Sequence, residues 1–398
     1  MDGLDLRGTS VAGRLKEARI LRGISQLQLA QRMNFSHSLV KKVEQGSRPP
    51  SAAFVAGAAR VLGIKVSTLY GVRDDEVLDE PSRQSAGIAD LRAALDAYDD
   101  PQPEGDLLTL DTATARLATA SGKVLGQDHV EVLEELPNLL HHLYVLADAT
   151  GRAGELGRSA LHDAYRMSAN VAGHFRQADL AAISSERHIQ LAPRTGEPLR
   201  IAISAYHRSS RYLQHGDYRG GLRRLERARK HVGSGAADRA VSIQLDLRAA
   251  ILAARAGDPA EADEYLAEAR AFADEFQPPP VPYYGVDASM TNIVVHWCAR
   301  PVENYDGGEA VRRASTVVVD DPRRPERVGH HCIDMARAWM LNGDRGRTLV
   351  ELNAARKVAP NMTRHHPSVS ETVRALAKSE RQTNESLAKF ARWAGIRL

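Results

Sequence analysis

An internal period constrains this chain more than any single motif does. From residue 107 onward a helical stretch ends at Gly or Gly-Asp, an aromatic or small residue follows, and a second helix begins with alanine along one face. The pattern appears as AGHFRQADLAA at Gly173, HGDYRGGLRRLERA at Gly216, AGDPAEADEYLAEA at Gly257 and NGDRGRTLVELNAA at Gly343. The intervals are 43, 41 and 86 residues, and a degenerate unit, ENYDGGEAVRRA around Tyr305, fills the double gap. A lone amphipathic helix pair cannot bury its apolar face, whereas stacked pairs share a continuous core. Five pairs at a period near 42 therefore predict an α-solenoid. The segment Gln277-Pro278-Pro279-Pro280 lengthens one interval and predicts a change of direction in the superhelix.

The remaining sequence divides by charge. The total of 398 residues suggests two or three domains. With 43% hydrophobic and 26% charged residues the chain can bury a core, and 5% aromatics disfavours an aromatic-rich β-sandwich. The net charge of +3 conceals unlike parts. Residues 1–70 hold eleven Lys/Arg against four acids, a net +7; residues 73–106 hold eleven acids against three arginines; the rest is +4. We read 1–72 as a basic head, 73–106 as an acidic linker containing one helix, and 107–398 as the repeat domain. A concentrated positive field attracts a polyanion. The acidic run beginning at Asp74, Asp75 and Glu76 could compete for that field.

Cys298 and Cys332 are the only cysteines, so no disulfide framework is expected and a reducing cytoplasm is the default. The N-terminal MDGLDLRGTS lacks an apolar signal region, and no run approaches the roughly 18 apolar residues of a membrane span. The expectation is a cytoplasmic protein with no membrane partner.

The head reads as five short helices. VAGRLKEARILRG spaces Leu15, Ala18 and Leu21 helically and ends at Gly23. Ser25 caps QLQLAQRM, predicted to bury Leu27, Leu29, Ala30 and Met33. After a turn at Asn34-Phe35, Ser36 caps HSLVKKVEQG, which sends Val40 and Val43 inward. His37, Ser38, Lys41 and Lys42 are left on its other sides. Gly46 stops that helix, Ser51 caps AAFVAGAARVLG, and Val66–Tyr70 is a last turn.

These residues resemble the lambda-repressor/Cro-like, or XRE-like, helix-turn-helix family. The resemblance is carried by Arg14-Leu15, Arg19, Ser25-Gln26, Leu29-Ala30, Ser36, Val43-Glu44-Gln45-Gly46, Arg48, Pro50-Ser51 and Leu62-Gly63, over about one sixth of the chain. Phe35 departs from the small or polar turn residue usual in the family and is expected to pack on the domain. The resemblance implies a recognition helix at Ser36–Gln45 lying in the major groove of a double-stranded DNA operator. It assigns His37, Ser38 and Lys42 to base edges. Gln26, Ser36, Lys41 and Arg48 would meet phosphates, contacts that position rather than specify. Arg19 and Glu44 correspond to a structural ion pair.

The solenoid resembles tetratricopeptide repeats, though its units exceed the 34-residue standard. Its last pairs also look like those of large actinobacterial helix-turn-helix/repeat regulators, and the plan is similar to peptide-pheromone receptors of Gram-positive bacteria. The fold class expected is all-α: a five-helix helix-turn-helix domain, then an α-solenoid of tetratricopeptide-like helix pairs. If the first helix of each pair lines a groove, counting back from each glycine nominates Asn170, His207, Arg248, Asn292, His296, Asp334 and Arg337 for a peptide or small-molecule ligand.

His296, Cys298, His330, His331 and Cys332 invite a metal reading, but their offsets from the repeat ends differ by six residues, about 9 Å of helix. No metal or other cofactor is expected. GxxxxGK[ST], GxGxxG, GxSxG and HExxH are missing, and no catalytic residue is nominated. The function expected is a non-enzymatic, homodimeric transcriptional regulator; a protein-interaction scaffold with incidental DNA binding is the alternative.

Overall fold

The computed structural model describes residues 10–71, 83–125, 128–175, 177–274, 282–379 and 385–396. The Asp74-Asp75-Glu76 run and the Gln277–Pro280 segment lie outside them. The described residues are all-α, with no strand among them.

The head comprises α1 (Val11–Leu21), α2 (Gln26–Met33), α3 (His37–Glu44), α4 (Ala52–Leu62) and α5 (Val66–Tyr70). Serines start the first four. The Oγ atoms of Ser10, Ser25, Ser36 and Ser51 accept the backbone N–H of Gly13, Gln28, Leu39 and Phe54. Each bond satisfies one orphan donor of a first helical turn. Between α2 and α3, Asn34 takes a left-handed φ of 57°, a conformation asparagine tolerates better than most residues.

Leu15, Leu29, Val40, Val43, Phe54, Leu62 and Leu69 form the head's core. Phe35 packs against it, its ring centroid 5.4 Å from that of Phe54. Leu27, expected in the core, does not join and is 50% exposed, and Leu21, helically spaced with Leu15, is 60% exposed. Helical rotation explains both. Six residues turn Leu21 about 120° away from Leu15, and two residues place Leu27 about 160° from Leu29.

The body begins before residue 107. Within the acidic segment α6 (Arg83–Asp96) packs on α8 (His129–Asp148), burying Leu91 and Leu95 in a core shared with α7 (Leu110–Leu125) and α9 (Gly151–His174). Helix pairs follow: α9 with α10 (Ala178–Leu191), α11 (Pro198–His215) with α12 (Tyr218–Ala228), and α13 (Ala236–Arg255) with α14 (Pro259–Asp274). Next come α15 (Met290–Glu303) with α16 (Gly307–Ala314) and α17 (Pro325–Leu341) with α18 (Arg345–Val358). Three further helices, α19 (Pro360–His365), α20 (Pro367–Ser379) and α21 (Glu385–Ala394), close the end.

The core is handed from pair to pair. Ile203, Leu225, Val241, Leu252 and Leu266 fill the second cluster, Cys298, Val302 and Met335 the next, and Ile333, Leu352, Val373 and Phe390 the last. That succession is the packing of a helical repeat.

The turns explain the period. Gly216 and Gly343 have φ of 72° and 80° just past the ends of α11 and α17, and Tyr305 takes φ 61° in the degenerate unit. Gly173 is different: it lies inside the last turn of α9, so the first repeat ends at His174.

Candidate nucleic-acid interface and histidine–arginine cluster

Recognition by a helix requires that helix to be held rigidly while one face stays open. In the head the holding comes from an ion pair. Arg19 Nε donates to Glu44 Oε1 at 2.5 Å and Arg19 Nη2 to Glu44 Oε2 at 2.9 Å, which ties α1 to the end of α3. Gln26 Nε2 donates to the same Oε2 at 2.7 Å. The Gln26 amide, expected at a phosphate, is thus engaged inside the head. Ser36 Oγ is engaged as the cap of α3, while His37, Ser38, Lys41 and Lys42 are exposed on it. These four form the open face.

Arg48 points elsewhere. Its Nη2 donates to the Tyr305 carbonyl at 3.1 Å, and its guanidinium lies 4.5 Å from the centroid of that ring. The Tyr305 hydroxyl accepts the Ser51 backbone N–H at 2.8 Å. Tyr218 donates to the Ala53 carbonyl at 3.2 Å, and Lys378 to the Gln45 carbonyl. The head is therefore docked on the repeats through α4 and the turn before it, and His37, Ser38, Lys41 and Lys42 make none of these contacts.

Behind the dock runs a charged chain. Arg255 Nε meets Glu303 Oε2 at 3.0 Å, Arg337 Nη1 meets Glu303 Oε1 at 3.3 Å, and Arg337 also pairs with Asp334 at 2.9 Å. Burial pushes the Glu303 carboxyl up, but Arg255 and Arg337 outweigh it and hold it at about 2. Asp334 and Arg337, nominated for a ligand, are consumed in this chain. Asn292 is likewise occupied: it is buried, with Nδ2 donating to the Asp287 carbonyl at 2.7 Å. His296 Nδ1 faces the Asn292 carbonyl at 2.8 Å, and burial lowers its pKa to about 4. Asn170 is exposed near the end of α9.

The two remaining nominees do come together. His207 on α11 has its ring 5.3 Å from that of His188, and burial together with the charges of Arg166 and Arg248 holds its pKa well below the usual histidine value. Arg248 stacks on Tyr206 at 4.6 Å and donates to Ser210 Oγ at 2.9 Å. Sequence reasoning missed Arg166 and His188. A signal for Arg166 exists: it precedes His207 by 41 residues, as His207 precedes Arg248. Counting from Gly173 hid it, because that glycine is not the helix end.

Among the described residues no group of three or more His, Cys, Asp or Glu side chains could hold a metal ion. Cys298 and Cys332 are buried in successive cores, and burial raises their thiols to about 11 and about 12. No described helix is long and apolar enough to cross a membrane.

Residues 10–77 match the family model of a helix-turn-helix domain. The head is an XRE-like helix-turn-helix domain followed by a helical repeat. No curated protein matches the chain. Among solved structures, the chain is similar to Bacillus thuringiensis PlcR in complex with the peptide PapR7 and DNA. Identity is 15%, the alignment covers 67% of this chain and 95% of that chain, and the TM-score of 0.25 is too low to equate the two architectures.

Proposed function

We propose that the protein is a transcriptional regulator that binds a DNA operator through the exposed face of α3 and is controlled through its repeats. One observation carries this reading: His37, Ser38, Lys41 and Lys42 stand exposed on a helix whose end is held by the Arg19–Glu44–Gln26 lock. A short helix held this way enters a major groove, its first residues reaching base edges and its lysines the phosphates. His37, Ser38 and Lys42 take the base edges in this reading. Ser36 and Lys41 sit beside the backbone, and Gln26 can join them only by leaving Glu44.

One such head spans a short half-site, so a homodimer on a paired operator is the arrangement that doubles the contact set. Control follows from the dock. A peptide or small molecule in the repeats changes DNA affinity only if it binds differently to docked and released heads. Arg48 links the two states, because a guanidinium held by Tyr305 is not free for phosphate. The place of action is the cytoplasm, on the nucleoid.

The test is competitive binding of the intact chain to its own upstream DNA against random duplex of equal length. Preference for the upstream fragment is expected. Equal affinity for both would remove sequence-specific regulation at that site and leave the interaction-scaffold reading.

A further inference from the structure

The cluster around His188 and His207 is short of an acceptor, and the hydrogen bonds around it say which donors are left over. Arg200 on α11 donates from Nη1 to His162 Nδ1 at 3.1 Å. A guanidinium can only donate, so His162 Nδ1 accepts and its proton sits on Nε2. That N–H faces Ser204 Oγ at 3.0 Å, and Ser204 Oγ faces His188 Nδ1 at 3.3 Å. The serine hydroxyl therefore donates to His188 Nδ1, so the His188 proton is on Nε2. Burial and the nearby arginines keep His162 and His188 neutral, His188 with a pKa of about 3. His188 is 1% exposed, yet its Nε2 has no partner.

Arg166 adds a second surplus. Its Nε is shielded from solvent without an acceptor, and its side chain makes no hydrogen bond or ion pair among the described residues. The guanidinium is packed on Gly285, where a Cβ would lie 2.7 Å from Cζ. The adjoining Tyr284 reaches across to Glu197 at 3.0 Å and is itself covered by Arg200 at 5.1 Å. The loop before α15 thus closes over the first helices of two repeats. His207 Nε2, likewise shielded from solvent without a partner, completes the set. Asp163 and Glu197 both pair with Arg200, and among the described residues no carboxylate forms an ion pair with Arg166 or Arg248.

We infer that Arg166, His188 and His207 bind a carboxylate group of the ligand that the repeats receive. A carboxylate supplies the missing charge and accepts from a guanidinium and an imidazole N–H together. It rests on the reading that the repeats bind a ligand. A small organic acid and the free C-terminus of a peptide share this chemistry.

The experiment uses the full chain, with succinate, hexanoate, tetra-alanine and C-terminally amidated tetra-alanine as probes and chloride at matched ionic strength as control. Thermal unfolding and histidine imidazole NMR shifts are read for the wild type, Arg166→Gln and Arg166→Lys. Saturable stabilisation by a carboxylate, with His188 and His207 signals moving, is expected in the wild type and lost in Arg166→Gln. Arg166→Lys should weaken it by about tenfold, keeping charge without the planar donors. A response to the acids alone assigns a small-molecule ligand; a response to free but not amidated tetra-alanine assigns a peptide terminus. Without any probe, Arg166→Gln should melt above the wild type, because an unpaired charge is removed. A lower melting point would make Arg166 structural and overturn the inference, as would no response beyond chloride or one that survives Arg166→Gln. DNA binding without probe should be unchanged in Arg166→Gln, so failure of this site and failure of the DNA reading are separable.

Discussion

Arg48 and Tyr305, 257 residues apart in sequence, hold each other twice: the guanidinium donates to the Tyr305 carbonyl at 3.1 Å and lies over its ring at 4.5 Å. The Tyr305 hydroxyl reaches back to the Ser51 N–H at the start of α4. A single tyrosine on the repeats therefore holds both the turn after the recognition helix and the cap of the next helix. Tyr305→Ala removes all but the backbone contact, a loss of about 1–3 kcal/mol from a neutral hydrogen bond and a cation–π contact. We expect faster proteolysis between head and repeats and DNA binding several-fold tighter, since Arg48 is then held by one hydrogen bond alone. Unchanged cleavage and unchanged affinity together would show that the dock does not restrain the head.

The lock inside the head makes a second, independent prediction. Glu44 is almost fully buried and accepts from both Arg19 and Gln26. Removing one member of a buried pair strands the other, so Arg19→Ala and Glu44→Ala should each destabilise the head by about 2–4 kcal/mol. The double variant should cost much less than the sum of the two. A double-mutant cycle by denaturant unfolding reads this coupling, and additive losses would contradict it.

Stability should also fall with acid, from groups in the repeats. Burial lowers His188 to about 3, His296 to about 4 and His366 to about 3. The unfolded chain binds these protons near pH 6.5, so their contribution is complete above that value and lost progressively toward pH 3. Glu303, held at about 2, adds a loss below about pH 4.5. Asp246 works in the opposite sense: burial raises it to about 6 despite Arg229, and its contribution fades as pH rises through that value. Melting curves should shift down steadily between pH 7 and pH 5, and a flat profile over that range would mean that the histidines are solvated.

Lys42 offers the sharpest substitution on the open face. If it reads a base, Lys42→Ala should weaken the preferred operator by about 1–3 kcal/mol and leave random DNA nearly unaffected. An equal loss on both would move Lys42 to the phosphates, with Lys41.

Much of this architecture was legible because it rests on local chemistry. Serine caps and the Gly216 and Gly343 turns are set by backbone needs within a few residues, and the Arg19–Glu44 pair lies within one small domain. Helix α6 was seen inside the acidic stretch, but composition hid Leu91 and Leu95, which bind it to the body. Leu27 does not join the core because two residues place it on the face of α2 opposite Leu29. The Arg48–Tyr305 dock was invisible, since no local pattern records a contact across 257 residues. The ligand nominees divided by neighbours rather than by position: Arg337 found Glu303, whereas His207 found Arg166 and His188.

The most direct test of the central claim is the salt dependence of binding between the intact protein and its upstream DNA, with and without Lys41 and Lys42. Affinity should fall linearly on a log–log plot as salt rises, and each lysine that meets a phosphate should lower the slope by about 1 when changed to alanine. A complex insensitive to salt, or a slope identical in wild type and the Lys41→Ala/Lys42→Ala variant, would contradict an operator held on the open face of α3.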